Sequence, residues 1–528
     1  MSDQAAAEES THLASGITSS NVEQRGDTQD PLTDHGQRRL LESRWINTAL
    51  WVVIAISPAL VVTFLVRHYF NASLLDFTPV MSDEIDYWHQ AATFRTVGFA
   101  GGVYGVDETH AEFPFLHFGS HGPAYPMLLA GIGSIAGWRP FSGPVINMAV
   151  IAVAIFSYLA LTRAGRMRAV LTGVLVLTFW PLMLYLTTTM QETFHQAFAA
   201  ALAGLFFLLL RRGPDTSRTF YTAAVALLAL ASLLRPTWAL LFVPLFFLRG
   251  AELSGRRLRW AAVKASPIIV AAFWVSSAVS TPYPGFVAQL TELATRSPLA
   301  AVKLFLWHFC SSTKKLAEGN WLELGLRAAL LLIVVAAITG VVRHLRGSDA
   351  DHREGLAART FHLLNLVPLL ILLMGVYDIF DWRDYRVLAP HVLLSALVAL
   401  ARSERTVVIS AVATNVAVVG AVGPIFSEIH YRHFVPVDTK TTALSRYLAY
   451  KPGASAWENT ILVDRANFGP GLVNVPAGLG LTLHLRENDQ TVRSRYLLVT
   501  EATALKLRPD RLRLLTTTDQ GNLYIRKD

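Results

Sequence analysis

Eleven apolar stretches run along this 528-residue chain, near 46–66, 142–162, 169–187, 191–210, 219–235, 237–248, 260–280, 323–342, 360–377, 387–402 and 405–424. A helix needs about 20 consecutive apolar residues to cross the hydrocarbon of a bilayer, and only 237–248 is plainly short. Residues are 52% hydrophobic and 16% charged, too few charges to cover a water-soluble surface of this size, so part of the solvent is lipid. The pattern predicts an α-helical polytopic membrane protein with about 11 transmembrane helices. A single cysteine, Cys310, excludes a disulfide framework and a Cys-rich metal site. The net charge of +8 comes from Lys and Arg gathered between apolar runs, which is a topology signal and no nucleic-acid footprint.

The charges set an orientation. Residues 1–44 are polar and rich in Ser, Thr, Asp, Glu and Gln, a composition that predicts a disordered tail. The first apolar run begins near Ile46 and is long enough to span, so it is no cleavable signal. Arg38, Arg39 and Arg44 ahead of it place the tail in the cytoplasm. Alternating from there puts Arg163/Arg166/Arg168, Arg211/Arg212/Arg218, Arg249/Arg256/Arg257/Arg259, Arg343/Arg346/Arg353/Arg359 and Arg402/Arg405 on the same inner side. Segments 67–141, 281–322, 378–386 and everything after about 425 then face outward. The expected organisation is a transmembrane domain over 45–425 with the outer loop 67–141, and a small extracytoplasmic α/β domain over 426–528. In the loops, Asp83–Val97, Gly122–Trp138 and Leu299–Phe309 read as helices lying along the membrane surface. In the terminal domain, Thr439–Tyr450 reads as a helix, and Thr460–Val463, Leu481–Leu485, Tyr496–Thr500, Leu512–Thr516 and Leu523–Arg526 as strands. The chain contains no Gly-rich phosphate loop, HExxH or GxSxG.

Chemistry concentrates at the outer ends of the spans. The segment Ser82-Asp83-Glu84-Ile85-Asp86-Tyr87-Trp88 sets three carboxylates at a helix start beside the bilayer. Acids there cap a helix and meet its dipole; they also suit a site facing water, a metal or a cationic ligand, and a cap fixes a carboxylate in place. Arg235, amid Leu233, Leu234, Pro236 and Trp238, either binds an anion or snorkels to headgroups. Arg383 and Arg386 either hold phosphate or pair with Asp381 and Asp384. Lys314 and Lys315 offer phosphate contacts or simply meet headgroups. His121 touches phosphate or caps its surface helix. Glu192, three residues before His195, binds sugar or bonds that histidine along one helix face.

The order of these pieces resembles the GT-C superfamily of membrane glycosyltransferases, in particular the branch with protein O-mannosyltransferases, aminoarabinose transferases, and galacturonosyl and arabinosyl transferases. The matching residues are Asp83-Glu84 after the first span, His121-Gly122-Pro123-Ala124-Tyr125-Pro126 before the second, Gln191-Glu192 at the start of the fourth, Leu234-Arg235-Pro236, and Asp384-Tyr385-Arg386 followed by Ala389-Pro390. The resemblance covers about 390 residues and implies transfer of a sugar from a polyprenyl-phosphate donor to a hydroxyl acceptor on a glycan, lipid or protein at the extracytoplasmic face of the inner membrane. It implies an inverting reaction with Asp83 as general base, and Glu84 orienting hydroxyls or supporting a metal. His121, Glu192, Arg235, Arg383, Arg386 and Lys314 stand as substrate-binding candidates. Some members use a divalent cation and others do not, so a metal remains an open alternative. Two other classes stay open: a secondary transporter or lipid flippase, and a polysaccharide polymerase or O-antigen ligase drawing on a lipid diphosphate. Against transport, the ionisable residues gather at span ends, away from the midplane, and the halves of the chain do not repeat.

Overall fold

A computed structural model describes residues 31–108, 118–119, 121–250, 253–280, 286–318, 353–377, 386–435, 442–485, 490–507, 509–518 and 521–527, with isolated positions between 324 and 342. Residues 1–30 of the expected tail lie outside these; the first helix, α1, already begins at Pro31 and runs to Phe70. Among the described residues, five helical segments are long and apolar enough to cross a membrane: Trp45–Phe70, Ser142–Thr162, Glu192–Asp215, Gly255–Val279 and Gly355–Gly375. Shorter apolar helices cover Ala124–Ala136, Arg218–Leu234, Pro236–Leu248 and Ala389–Arg402. The chain is therefore an integral membrane protein with a helical bundle. More than half of the expected span 323–342 falls outside the described residues.

After α1 come α2 (Ser82–Val97) and α3 (Ala124–Ala136), close to the two surface helices read from the sequence. The bundle continues with α4 (Ser142–Thr162), α5 (Arg166–Thr178), α6 (Trp180–Tyr185), α7 (Glu192–Arg212), α8 (Arg218–Leu234), α9 (Phe242–Leu248) and α10 (Gly255–Val279). The expected single span 169–187 is two helices. Phe179 takes an extended backbone (φ −75°, ψ 92°) with Pro181 just beyond it, and the residue at a helix start tolerates proline where a helix interior does not. Next follow α11 (Phe286–Arg296), α12 (Pro298–Ala317), α13 (Arg353–Gly375), α14 (Ala389–Arg402) and α15 (Arg405–His430). Helix α7 sits at the centre: every residue from Glu192 to Leu210 except Ala201 is buried.

Among the described residues, five strands of the C-terminal part and one short strand before α3 form a sheet in the order β1-β3-β2-β4-β6-β5. They are β1 (Gly105–Val106), β2 (Thr460–Asp464), β3 (Gly480–His484), β4 (Tyr496–Val499), β5 (Leu512–Thr518) and β6 (Gly521–Arg526). Strands β1 to β4 pair parallel, and β6 and β5 close the sheet antiparallel. Short helices α16 (Thr442–Tyr447) and α17 (Glu501–Lys506) accompany it. Both faces of β2 are buried, Ile461 and Val463 in one core and Leu462 in the other, which is why these strands read as unbroken apolar runs.

The edge strand β1 comes from the segment between α2 and α3, so that segment and the C-terminal residues share one sheet. Glu108, next to β1, accepts hydrogen bonds from Thr482 Oγ1 (2.9 Å) and the Ser494 backbone N–H (3.1 Å). Helix α2 lies between sheet and bundle: Ile85 packs into the sheet's core while Tyr87 and Ala91 pack into the bundle's. His89 adds a contact of 3.0 Å to the Val475 carbonyl. The first carboxylates after the first span are therefore mounted on a helix gripped from both sides.

Candidate active site

Adjacent residues at the start of α2 have opposite fates. Glu84 is fully buried. Its Oε2 accepts the backbone N–H groups of Val80 (2.8 Å) and Met81 (3.2 Å) and meets His433 Nε2 at 2.8 Å. Its Oε1 accepts the Thr189 N–H at 2.7 Å. One carboxylate so ties the helix start to the turn before α7 and to the chain after α15. Asp83, one residue earlier and about 100° around the helix, faces a cavity with 29% of its side chain exposed.

That cavity, of about 210 Å³, is lined by Asp83, Tyr87, His121, Gln191, Glu192, Arg235, Pro236, Thr237, Tyr377, Arg386 and Val387. Asp83 Oδ2 lies 3.7 Å from His121 Nε2 and 3.6 Å from Arg386 Nη2. Arg386 Nε also stands 3.4 Å from Glu192 Oε1, and Arg235 Nη2 reaches the same oxygen at 3.4 Å. Burial works to raise the pKa of Asp83, but the His121 hydrogen bond and the charges of His121 and Arg386 prevail and hold it down to about 2. Arg386 is pushed the other way: burial opposes its charge, yet Glu192 and Asp83 outweigh that and lift it above an ordinary guanidinium. The third acid of the motif, Asp86, has its pKa raised by burial and by the neighbouring Asp83 charge.

Local sequence explains how the arginines come to point inward. A residue before proline is driven to extended backbone, and Arg235, before Pro236, has φ −149° and ψ 115°. This ends α8 and turns the guanidinium away from the lipid, leaving the side chain 12% exposed. Arg235 Nη1 and Glu192 Oε2 are buried without hydrogen-bond partners among the described residues, so the cavity holds a free donor and a free acceptor. Gly122, after His121, has φ +72°, a conformation that glycine adopts at little cost. A Cβ there would also sit 3.1 Å from Val279 Cγ2.

Five of the residues singled out by sequence share this wall: Asp83, His121, Glu192, Arg235 and Arg386. Glu84 stands behind it. Lys314 is not among the lining residues; it is 78% exposed and pairs with Glu318 at 3.5 Å, one turn further along at the end of α12, where a flexible cation finds water and a local partner. Arg383 lies outside the described residues. The alternative reading of Glu192, a bond to His195, is not what His195 makes: its Nδ1 accepts the Trp238 indole N–H at 3.0 Å. Sequence reading missed Tyr377 and Thr237 on the wall and His433 behind it. His433 follows a long span, where an aromatic or histidine reads as ordinary interfacial composition. A larger cavity, about 910 Å³, opens beside Arg163, Met167, Leu171, Ile409 and Val416; its exposed apolar walls make it a lipid-facing crevice, apart from the acidic cluster.

Fold and site together define an integral membrane protein in which a charged cavity opens among the helix ends of a bundle, beside a helix that also packs against a mixed sheet. No family model matches the chain, and no curated protein does. Among solved structures it is similar to ArnT from Cupriavidus metallidurans in the apo state, with 14% identity, 90% of this chain and 97% of that one covered, and a TM-score of 0.46. The same enzyme bound to undecaprenyl phosphate gives 13%, 90%, 97% and 0.48. The archaeal oligosaccharyltransferase AglB from Archaeoglobus fulgidus, in complex with an inhibitory peptide and a dolichol-phosphate, gives 12% identity, coverage of 87% and 69%, and a TM-score of 0.47.

Proposed function

We propose that this chain is a glycosyltransferase that moves a sugar from a polyprenyl phosphate to a hydroxyl acceptor at the extracytoplasmic face of the inner membrane, with inversion. The observation that carries the reading is the meeting, in one cavity, of an ionised carboxylate with two inward-turned guanidinium groups. Such a transfer needs a base for the attacking alcohol and a cationic clamp for the departing phosphate. In the reaction, the acceptor oxygen bonds to the anomeric carbon as the bond from that carbon to the phosphate oxygen breaks. The alcohol's proton passes to Asp83. The charge left on the lipid phosphate falls to Arg235, whose Nη1 is free, and to Arg386.

Arg386 serves both halves of this chemistry. It stands against Asp83 and Glu192; a bound phosphate competes for it, and as it turns away the Asp83 carboxylate loses a stabilising charge and becomes a stronger base. Glu192, held by both arginines through Oε1, keeps Oε2 for a sugar hydroxyl. His121 positions Asp83. Glu84 acts through the backbone, fixing the start of α2. Among the described residues no group of three His, Cys, Asp or Glu is disposed to hold a metal ion, so no step here is routed through one.

The test begins with mass spectrometry of lipid co-purifying with the protein, which names the donor as a prenyl phosphate carrying a particular sugar. Transfer from that donor should then fall by about 10²–10⁴-fold in Asp83→Asn, the range a positioned general base supplies, while the variant stays folded. Wild-type turnover in that variant removes the assignment of Asp83.

A further inference from the structure

A second basic cavity lies at the other end of the bundle. Helix α8 carries Arg235 at its C-terminus, and its 17 residues place its N-terminus about 25 Å away. Helix α10 likewise ends beside Gly122, where Val279 touches it, so its start at Gly255 is remote from Asp83. Between these two starts and the end of α9 is a cavity of about 380 Å³ lined by Tyr221, Phe246, Arg249, Arg257, Trp260, Ala261 and Lys264. Three of these residues are cations, and none of the described lining residues is acidic.

Its cations are placed, not loose. The Arg249 guanidinium lies 3.9 Å above the Tyr221 ring. Arg257 donates from Nη2 to the Phe246 carbonyl at 3.2 Å, and lies so close to Gly250 that a Cβ there would come within 3.0 Å of its Cζ. Yet Arg249 Nη1 and Arg257 Nε are buried with no hydrogen-bond partner among the described residues, and an unmet buried donor is costly. The helix dipole adds to the imbalance. The first turn of α10 holds Arg256 and Arg257 and no acid, although a helix N-terminus favours negative charge. A preference for positive residues on the inner side accounts for how many arginines stand here; it does not account for two guanidinium nitrogens turned inward without acceptors.

We propose that this cavity binds the phosphate-bearing headgroup of an anionic membrane lipid. Forked guanidinium groups suit phosphate oxygens, and the neighbouring surface says which source supplies them. Only 6% of the apolar window of α10 is buried within the protein, and Trp260, on the rim, is 56% exposed, so acyl chains run directly past the opening. Basic pockets at such a depth are where anionic headgroups are held.

The test uses the full chain purified in neutral detergent, with thermal stability read on addition of phosphatidylglycerol, phosphatidylcholine or inorganic phosphate. Phosphatidylglycerol should raise the midpoint and the other two should not. In the double variant Arg249→Gln/Arg257→Gln the apparent affinity for phosphatidylglycerol should fall about tenfold or more, the loss expected when charge-assisted hydrogen bonds go. An undiminished effect in the folded variant overturns the proposal, and an equal effect of inorganic phosphate overturns its lipid assignment. Should the double variant fail to fold, the single variants Arg249→Lys and Arg257→Lys decide, because they keep charge and lose the fork: a weakened lipid effect supports the site and an unchanged one sinks it. Glu252 lies outside the described residues, and Glu252→Gln should leave the lipid effect in place; if the lipid acts only after that change, the glutamate was the partner and the proposal falls.

Discussion

Two cavities of this bundle both gather arginines at helix termini, yet only one of them has acids among its described lining residues. Around Asp83, two guanidinium groups share two carboxylates; around Arg249 and Arg257, no described lining residue is acidic. The difference teaches what arginine is for in each place. A matched cluster keeps both signs in one cavity, so that a phosphate and a hydroxyl can be handled together by rearranging existing partners. An unmatched cluster can only hold an anion. The largest contrast in behaviour should follow: Asp83→Asn removes transfer, whereas Arg249→Gln/Arg257→Gln retains turnover per folded molecule and changes only the response to anionic lipid. Equal loss of transfer at both ends breaks the distinction.

The next effect concerns stability. At Glu84 three backbone N–H groups and one histidine converge on a single buried carboxylate. In Glu84→Gln one side of the amide presents hydrogens to donors, and leaving a buried donor unmet next to a lost charge costs about 3 kcal/mol. Denaturation midpoints should drop accordingly, while the Km values of whatever remains folded stay near wild type. A variant of normal stability with impaired turnover reassigns Glu84 to the reacting groups.

Much of this contrast is legible in the amino-acid order, and its limits have physical causes. Ionisable residues beside apolar runs stand out because lipid penalises them, which is how Asp83, His121, Glu192, Arg235 and Arg386 are found. Which of Asp83 and Glu84 faces the cavity is not legible, since it depends on partners as remote as Thr189 and His433. Lys314 carries the same signal as Arg235 without the following proline that turns a side chain inward. The terminal strands read well: Thr460–Val463 became Thr460–Asp464, and Tyr496–Thr500 became Tyr496–Val499, because both faces of each are apolar and turn residues bound them. Strand β1 has two residues, Gly105 and Val106, and exists only through pairing with β3 far along the chain. The break at Phe179 is hidden too, since an apolar run looks alike whether or not the helix inside it is interrupted.

A smaller effect separates donor from acceptor. Arg235 is set deepest of the cations, 12% exposed against 19% for Arg386, and its free Nη1 is the natural phosphate contact. Arg235→Ala should raise the Km for the lipid donor about tenfold to a hundredfold, the loss of one or two charge-assisted bonds, and leave the acceptor Km within about twofold. Equal effects on both substrates contradict a phosphate role and blur the line between this arginine and those at the far end.

The smallest effect is a shift in titration. Because Asp83 is held down to about 2 from an ordinary 3.8, its ionised form favours the folded state above the unfolded value, and that contribution disappears as pH falls through the window between the two. Wild-type transfer should therefore show no acidic limb from Asp83 at any pH where the protein is assayed. His121 contributes more to this depression than Arg386 does, so Arg386→Ala should raise the Asp83 pKa only part of the way back toward its ordinary value. The pH dependence of thermal stability, taken as the difference between each protein and its Asp83→Asn counterpart, reads that shift directly. If the limb does not move, Arg386 does not govern the charge of Asp83, and a phosphate drawing Arg386 away cannot sharpen the base. If it moves, the arginine that receives the leaving group also sets the strength of the base that prepares the attacking one, a coupling that only a cavity with both signs of charge can support.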